Sequence, residues 1–314
     1  MIWSFSADRM FKKCQRQWYY DHVLAYWREG DVLRREAYLL SKLGTIAAWR
    51  GRIVDKVISD TVVPALNRKQ TVNLKDMLRE AKRLFDLQLV YARAHRLREP
   101  GFAVSKAGDA FAAFACIEYG EEIGDGEIRE AWIEIEQALT SFSKMDDLQA
   151  ILRASSYLIA QRPLQSKLAE TSIKGIPDLI GFYTASAPLI FDWKVHRYGR
   201  ADARQQLAFY AYNLVACNPH KDFPALQSQY LASDVRLLEV QLLTGQLREH
   251  RVTEVDLDNL EDYVAASALS MQLACGEGER ATLRPEQFAV TLWPDTCRRC
   301  VFRKLCWEDS HGSR

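Results

Sequence analysis

The sequence predicts an α/β fold, with a sheet-bearing core over residues 165–250 inside a large helical surround. Two observations carry this. Ala169 to Lys174, Leu179 to Thr184 and Leu189 to Val195 are short apolar runs separated by turn residues, as consecutive strands are. On both sides of that stretch the apolar residues recur at helical spacing instead. No internal repeat or low-complexity linker divides the 314 residues, so 1–314 is read as a single domain with a sizeable core.

The elements follow in order. Residues 3–27 read as a first helix, with Ser6 as N-cap and a dense aromatic set: Phe11, Trp18, Tyr19, Tyr20, Tyr26 and Trp27. Leu43 to Val62 is a second helical segment, which Pro64 is expected to end. Helical periodicity returns at 73–95, 108–122 and much of 144–161, so 65–165 is expected to be a mostly helical insertion. Within it, Trp132-Ile133-Glu134-Ile135-Glu136 alternates as a strand would. After the three strands, Ala201 to Ala216 reads as a helix. Ser228 to Ala232 and Leu238 to Leu243 read as two further strands, and Leu257 to Cys275 as a helix.

Composition narrows the class. At 48% hydrophobic residues the chain is globular rather than disordered, and no apolar run is long enough to span a membrane. The opening Met1-Ile2-Trp3-Ser4-Phe5-Ser6 lacks a basic region followed by an apolar one, which predicts no signal peptide and a cytoplasmic location. In that compartment seven cysteines suit free thiols or metal ligands better than disulfides. The net charge of +1 conceals polarity. Residues 1–60 carry 11 Lys/Arg against 7 Asp/Glu, whereas 118–147 carry 2 against 10. A basic end can attract phosphates, with Lys12, Lys13 and Arg16 as candidates, while the acidic stretch can meet a protein partner.

Asp178 opens one expected strand and Asp192 lies near the end of the next. A tight connection through Ser186-Ala187-Pro188 makes the two antiparallel and brings both carboxylates to one end of the sheet. Neighbouring carboxylates repel, and a hard divalent cation such as Mg²⁺ or Mn²⁺ relieves that repulsion. Lys194, two residues beyond Asp192, shares its strand face and can hold an attacking water or stabilise charge developing on a phosphate. Asp-x-Lys alone is common on surface strands. Its weight comes from Gly175-Ile176-Pro177-Asp178 upstream and from Gln206-x3-Tyr210 downstream, which share a helix face.

A second set of residues lies near the two ends. Cys297, Cys300 and Cys306 are spaced x2 then x5 at 290–314, and Cys14 stands near the start. Four thiolates suit either zinc or an iron–sulfur cluster. Cys14 and Cys297 are 283 positions apart, so a shared centre would close a loop whose closure entropy is roughly 5 kcal/mol. Cys116, Cys217 and Cys275 fall on apolar helical faces and read as core residues.

Gly-x2-Asp, Asp-x-Lys and Gln-x3-Tyr in this order resemble the PD-(D/E)XK superfamily, specifically its RecB-like nucleases. The cysteine arrangement resembles the iron–sulfur branch, which includes AddB-type nuclease domains and CRISPR-adaptation exonucleases. Ser4-x-Ser6 followed by Cys14-Gln15-Arg16-Gln17-Trp18 also resembles that branch's first helix, with Gln15 where a Pro is common. The resemblance covers most of the chain except 65–165. It implies a restriction-endonuclease-like core, a mixed sheet of about five strands flanked by helices. It implies a [4Fe–4S] cluster on Cys14, Cys297, Cys300 and Cys306 that staples the termini, and Mg²⁺ or Mn²⁺ at the carboxylates. It also implies that Gln206 and Tyr210 border the active site. The family's usual Gly-x3-His becomes Gly51-Arg52-Ile53-Val54-Asp55 here, so Asp55 stands where a His ligand is expected. A carboxylate remains a good ligand for a hard cation. The implied function is metal-dependent cleavage of DNA, on single strands or duplex ends, in repair, recombination or anti-phage defence. The alternative is a catalytically impaired subunit that binds nucleic acid or scaffolds a partner. No Walker A motif is present, so a helicase or other ATPase partner is expected for work on long duplex.

Overall fold

The structure is a computed structural model and describes residues 1–25, 31–196, 203–224, 230–276 and 282–311. In chain order the helices begin with α1 (Phe5–Lys13), α2 (Gln15–Trp18), α3 (Val32–Ser41), α4 (Ile46–Val57), α5 (Val63–Asn67) and α6 (Leu74–Arg93). Next come α7 (Val104–Ala107), α8 (Ala115–Glu118), α9 (Asp125–Lys144) and α10 (Asp146–Ala154). After the first five strands follow α11 (Ala203–Ala216), α12 (Glu254–Cys275), α13 (Pro294–Arg298) and α14 (Arg303–His311). The strands are β1 (Tyr157–Ala160), β2 (Leu164–Leu168), β3 (Thr171–Gly175), β4 (Leu179–Phe182), β5 (Leu189–Lys194), β6 (Arg236–Gln241) and β7 (Gln246–His250).

Five strands form one mixed sheet in the order β1-β4-β5-β6-β7. The β5–β6 pair is parallel and the other pairs are antiparallel. Every residue of β4 is buried, as is β5 up to Trp193. Burial on both faces explains why these strands read as continuous apolar runs rather than alternating ones. Strand β7, at an edge, alternates only weakly and is largely exposed. A separate hairpin pairs β2 with β3, turning through Ala169 and Glu170, both in the left-handed region. Helix α11 packs against β2, β3, β5 and β6, and α4 packs against α9.

The chain divides into two compact units. One contains residues 46–87 and 123–264 with both sheets. Its core includes Ile53 and Val57 of α4, Ile135 and Leu139 of α9, Ile180, Phe191 and Leu237. The other contains residues 3–45, 88–122 and 265–314 and is dominated by aromatic packing. In it Tyr19 stacks on Phe288 at 4.8 Å and Tyr20 on Phe302 at 5.7 Å, while the Trp3 indole N–H donates to Ser267 at 2.9 Å.

Several expectations are corrected. Ser4, not Ser6, caps α1, accepting from the Ala7 amide at 3.2 Å. The first helix is interrupted at Cys14, whose backbone is extended, and a π-helical turn spans Tyr19–Leu24. Tyr26 and Trp27 lie outside the described residues. Pro64 does not end its helix. A π-helical turn at Ile58–Val62 makes Val63 bond five residues back to Ile58, and Pro64 then falls in the first turn of α5, where its missing N–H costs nothing. The 126–139 region is helical, because Ala131, Ile135, Ala138, Leu139 and Phe142 form its buried face. The 144–161 helix stops at Ala154 and gives way to β1. Over 108–122 only a short 3₁₀ turn and α8 form. Ser228 and Gln229 lie outside the described residues, and the expected strand's remaining residues hold no strand, Ala232–Asp234 being a 3₁₀ turn. Ala201 also lies outside them, and the helix there begins at Ala203. Strands β1, β2 and β7 were not anticipated, and β3 joins the hairpin rather than the main sheet.

Candidate active site and cysteine cluster

The carboxylates come together through strand register. Antiparallel pairing sets Leu179 opposite Phe191, which leaves Asp178, just before β4, and Asp192, just after Phe191, at the same end of the pair. The Asp178 carboxylate accepts the Trp193 amide N–H at 2.8 Å, which fixes it against β5. Period two puts Lys194 on the face of Asp192, and its ammonium forms an ion pair with the Asp192 carboxylate. Asp192 is only 4% exposed, so this pair is shielded from water. Asp55 arrives from α4. Gln161, just beyond β1, joins it to Asp178, because its side-chain amide donates to Asp55 at 2.8 Å and to Asp178 at 3.2 Å. Its backbone N–H also donates to the Asp178 carbonyl at 3.0 Å. Gln161 sits at φ +49°, a left-handed conformation uncommon for a side chain of this kind, held here by these three bonds.

Two further contacts fix the frame. The Arg50 guanidinium donates to the Val195 carbonyl at 2.7 Å and pairs with the buried Glu134 of α9, tying α4 to the end of β5. In the parallel β5–β6 register Asp192 stands beside Glu239 and Lys194 beside Gln241. Glu239 bonds to Gln241 and to His250 at 2.9 Å.

Charge is in excess here. Burial, then the nearby charges of Asp192 and Asp55, push the Asp178 carboxyl up to about 8, against smaller lowering by the Trp193 amide and Lys194. Burial also raises Asp55 to about 6, with the Gln161 bond pulling the other way. Three carboxylates that cannot all ionise comfortably fit a site for a hard divalent cation. Among the described residues no group of three His, Cys, Asp or Glu side chains is already arranged around a single point as metal ligands. The physical reason is visible. The Gln161 amide and the Lys194 ammonium hold the inward carboxylate oxygens, so a cation would have to displace these donors.

Gln206 and Tyr210 lie one turn apart on α11, and the Gln206 amide donates to the Tyr210 hydroxyl at 2.8 Å. Gly175 explains their position. A Cβ there would come within 2.8 Å of the Phe209 ring and 3.0 Å of the Tyr210 ring, so only glycine admits α11 this close to β3. Sequence reasoning missed Gln161, Arg50 and the Glu239 row. β1 was hidden in a helical reading, and Arg50 and Glu134 carry no motif that marks them.

Cys14, Cys297, Cys300 and Cys306 line one narrow pocket of about 20 Å³, with Arg16, Tyr20 and Trp307 among its other walls. The break between α1 and α2 delivers Cys14, and the turn between α13 and α14 delivers Cys300. The Arg16 amide bonds to the Ala289 carbonyl at 3.2 Å, holding the two chain segments together. Burial pushes the Cys300 thiol up to about 11, opposed by the Phe302 amide and reinforced by Cys14 and Cys306. Burial also raises Cys306. Among the described residues these cysteines, like the carboxylates, are not arranged around a single point as metal ligands. Cys217 is buried, whereas Cys116 and Cys275 are half-buried.

No curated protein is significantly similar to the chain. Among solved structures the chain is similar to SSO0001, at 13% identity and TM-score 0.28 over 61% of this chain and 77% of that one. It is similar to a "putative exonuclease" from Eubacterium rectale, at 10% identity and TM-score 0.30 over 78% and 85%. It is also similar to protein VC1899 from Vibrio cholerae, at 11% identity and TM-score 0.22 over 76% and 60%. The family model described as the PD-(D/E)XK nuclease superfamily matches residues 2–307, nearly the whole chain, and the chain belongs to that superfamily.

Proposed function

We propose that this chain is a metal-dependent deoxyribonuclease that hydrolyses phosphodiester bonds on single strands or duplex ends. The observation that carries the reading is the gathering of Asp55, Asp178, Asp192 and Lys194 at one end of the β4–β5 pair. Asp55, Asp178 and Asp192 would hold Mg²⁺ or Mn²⁺, which when bound polarises the phosphate and makes water acidic enough to attack it. Lys194 pairs with Asp192 and would add positive charge where the phosphate gains negative charge. Gln206 donates to the Tyr210 hydroxyl, and the two would border the reacting phosphate. The burial of Asp192 keeps bulk water from weakening these interactions. Cys14, Cys297, Cys300 and Cys306 line one pocket and would, on the family resemblance, hold a [4Fe–4S] cluster as a staple between the two ends of the chain. The roles in repair, recombination or defence, and the helicase or ATPase partner, rest on the family resemblance. Among the described residues no helix is long and apolar enough to cross a membrane.

The test is incubation with labelled single-stranded and duplex DNA plus Mn²⁺ or Mg²⁺. Cleavage by the native chain should fall at least about 100-fold in Asp192→Ala and Lys194→Ala, from the loss of charge stabilisation. Unimpaired cleavage by Asp192→Ala would remove the assignment from these residues. A native chain that binds DNA without cutting it would be the impaired subunit instead.

A further inference from the structure

One surface beside the carboxylates has no role in the chemistry above. The helical run from α4 through the π-helical turn to α5 presents Arg52, Lys56, Ser59 and Asn67 along one side. With β1 and Arg162 it walls an open groove of about 740 Å³ that includes Asp55 and Gln161. We infer that this groove is the track for a single DNA strand, with its backbone on Arg52 and Arg68 and a base stacked on Tyr157. The inference rests on the nuclease reading and adds to it the strandedness and path of the substrate.

Four features support it. First, the groove's cations differ in what they already hold. Lys56 pairs with Asp60 at 2.6 Å and Arg162 pairs with Asp222, so these are locally neutralised. Arg52 and Arg68 are exposed, and among the described residues the Arg68 side chain bonds to the neutral Gln70 at 3.1 Å rather than to a carboxylate. They are the cations free to meet phosphates, and the exposed Lys56–Asp60 and Arg162–Asp222 pairs are weak enough to exchange. Second, Ser59 buries its hydroxyl in the groove wall without a hydrogen-bond partner. Such an orphaned donor fits a phosphate oxygen. Third, Ser59 and Asp60 lie on the π-helical turn, a distortion found often at functional sites. Fourth, Tyr157 is 36% exposed on the edge strand β1 and lines the same groove. An exposed aromatic face suits an unpaired base, whereas a duplex hides its base faces. Residues 52–68 span roughly 24 Å at about 1.5 Å per residue, enough for several nucleotides leading to Asp55.

The experiment measures binding without cleavage. The native full-length chain in EDTA is titrated into fluorescein-labelled single-stranded and blunt duplex DNA, and anisotropy is read across a salt series. Arg52→Gln with Arg68→Gln should weaken single-strand binding about tenfold or more. It should also lower the slope of log K against log salt by about 1.4, from two phosphate contacts at about 0.7 each. Tyr157→Ala should lose about tenfold with the slope unchanged. Arg153→Gln, an exposed arginine outside the groove, should match the native chain. Circular dichroism confirms that these surface variants are folded. Native affinity and slope in the double variant would overturn the track. Tighter binding of duplex than of single strand, with the same losses, would overturn the single-strand assignment. Native binding by the double variant together with normal Mn²⁺-dependent cleavage would reject the groove and leave the nuclease standing. Weakened binding in a chain that never cleaves would reject the nuclease and leave the groove.

Discussion

The crowded carboxylates make the metal-free protein sensitive to alkali. Asp178 ionises near 3.8 in an unfolded chain and near 8 in the folded one. Between those values the folded state keeps a proton that the unfolded state has lost, so raising the pH favours unfolding. The stability that this proton supports is intact below about 4 and is lost as pH rises to about 8. Each pH unit within the window is worth about 1.4 kcal/mol for one group, which sets a ceiling of about 4 kcal/mol between pH 5 and 8. Asp178 is partly exposed and shares its protons with its neighbours, so on the order of 2 kcal/mol is expected. For a chain of this size that lowers Tm by on the order of 5 °C. Magnesium binds the ionised carboxylates in competition with protons, so its stabilising effect should grow with pH. The assay is thermal unfolding in EDTA and in excess MgCl₂ from pH 5 to 8.5, for the native chain and Asp178→Asn. The variant should flatten the EDTA curve and lose most of the magnesium effect. A native metal-free Tm that stays level or rises across this range, or an unchanged slope in Asp178→Asn, would refute the reasoning.

Three other outcomes follow from the same contacts. Gln161→Ala removes the amide shared by Asp55 and Asp178, so Mn²⁺ affinity measured by calorimetry should change about tenfold in either direction, and an unaltered isotherm would deny Gln161 a part in the metal site. Anaerobically purified protein should carry about four iron atoms per chain, and Cys14→Ser should lose iron and melt earlier with only a secondary loss of cleavage; stoichiometric zinc in place of iron would keep the staple and refute the cluster. Gly175→Ala drives a methyl into the Phe209 and Tyr210 rings and should destabilise by about 1–3 kcal/mol in denaturant titration, so an unchanged midpoint would show that α11 can retreat freely.

The motif-bearing strands were legible because burial and chemistry leave direct marks on sequence. β4 and β5 are buried on both faces and therefore read as apolar runs, and Asp178, Asp192 and Lys194 stand out against them. Cys-x2-Cys-x5-Cys announced itself in the same way, and its cavity also takes in Cys14 from the opposite end of the sequence. The edges were not legible. β7 is exposed and barely alternates, and the β2–β3 hairpin turns on Ala169-Glu170, which lacks the Asn or Gly that usually marks such a turn. β1 is only four residues long and follows α10 without a glycine or proline between them.

What the sequence determined by itself was therefore the set of chemical groups, their order, and the strand pair that would carry them. Which groups share a proton or a bond was decided only by tertiary structure. Asp55 and Asp178 are 123 positions apart, and no local pattern relates them. They meet because Arg50 ties α4 to the end of β5 and because Gln161, held in a left-handed conformation, reaches both carboxylates at once. Local periodicity reports which face of an element is buried. It says nothing about what lies across from that face, and the charge crowding that raises Asp178 exists only there.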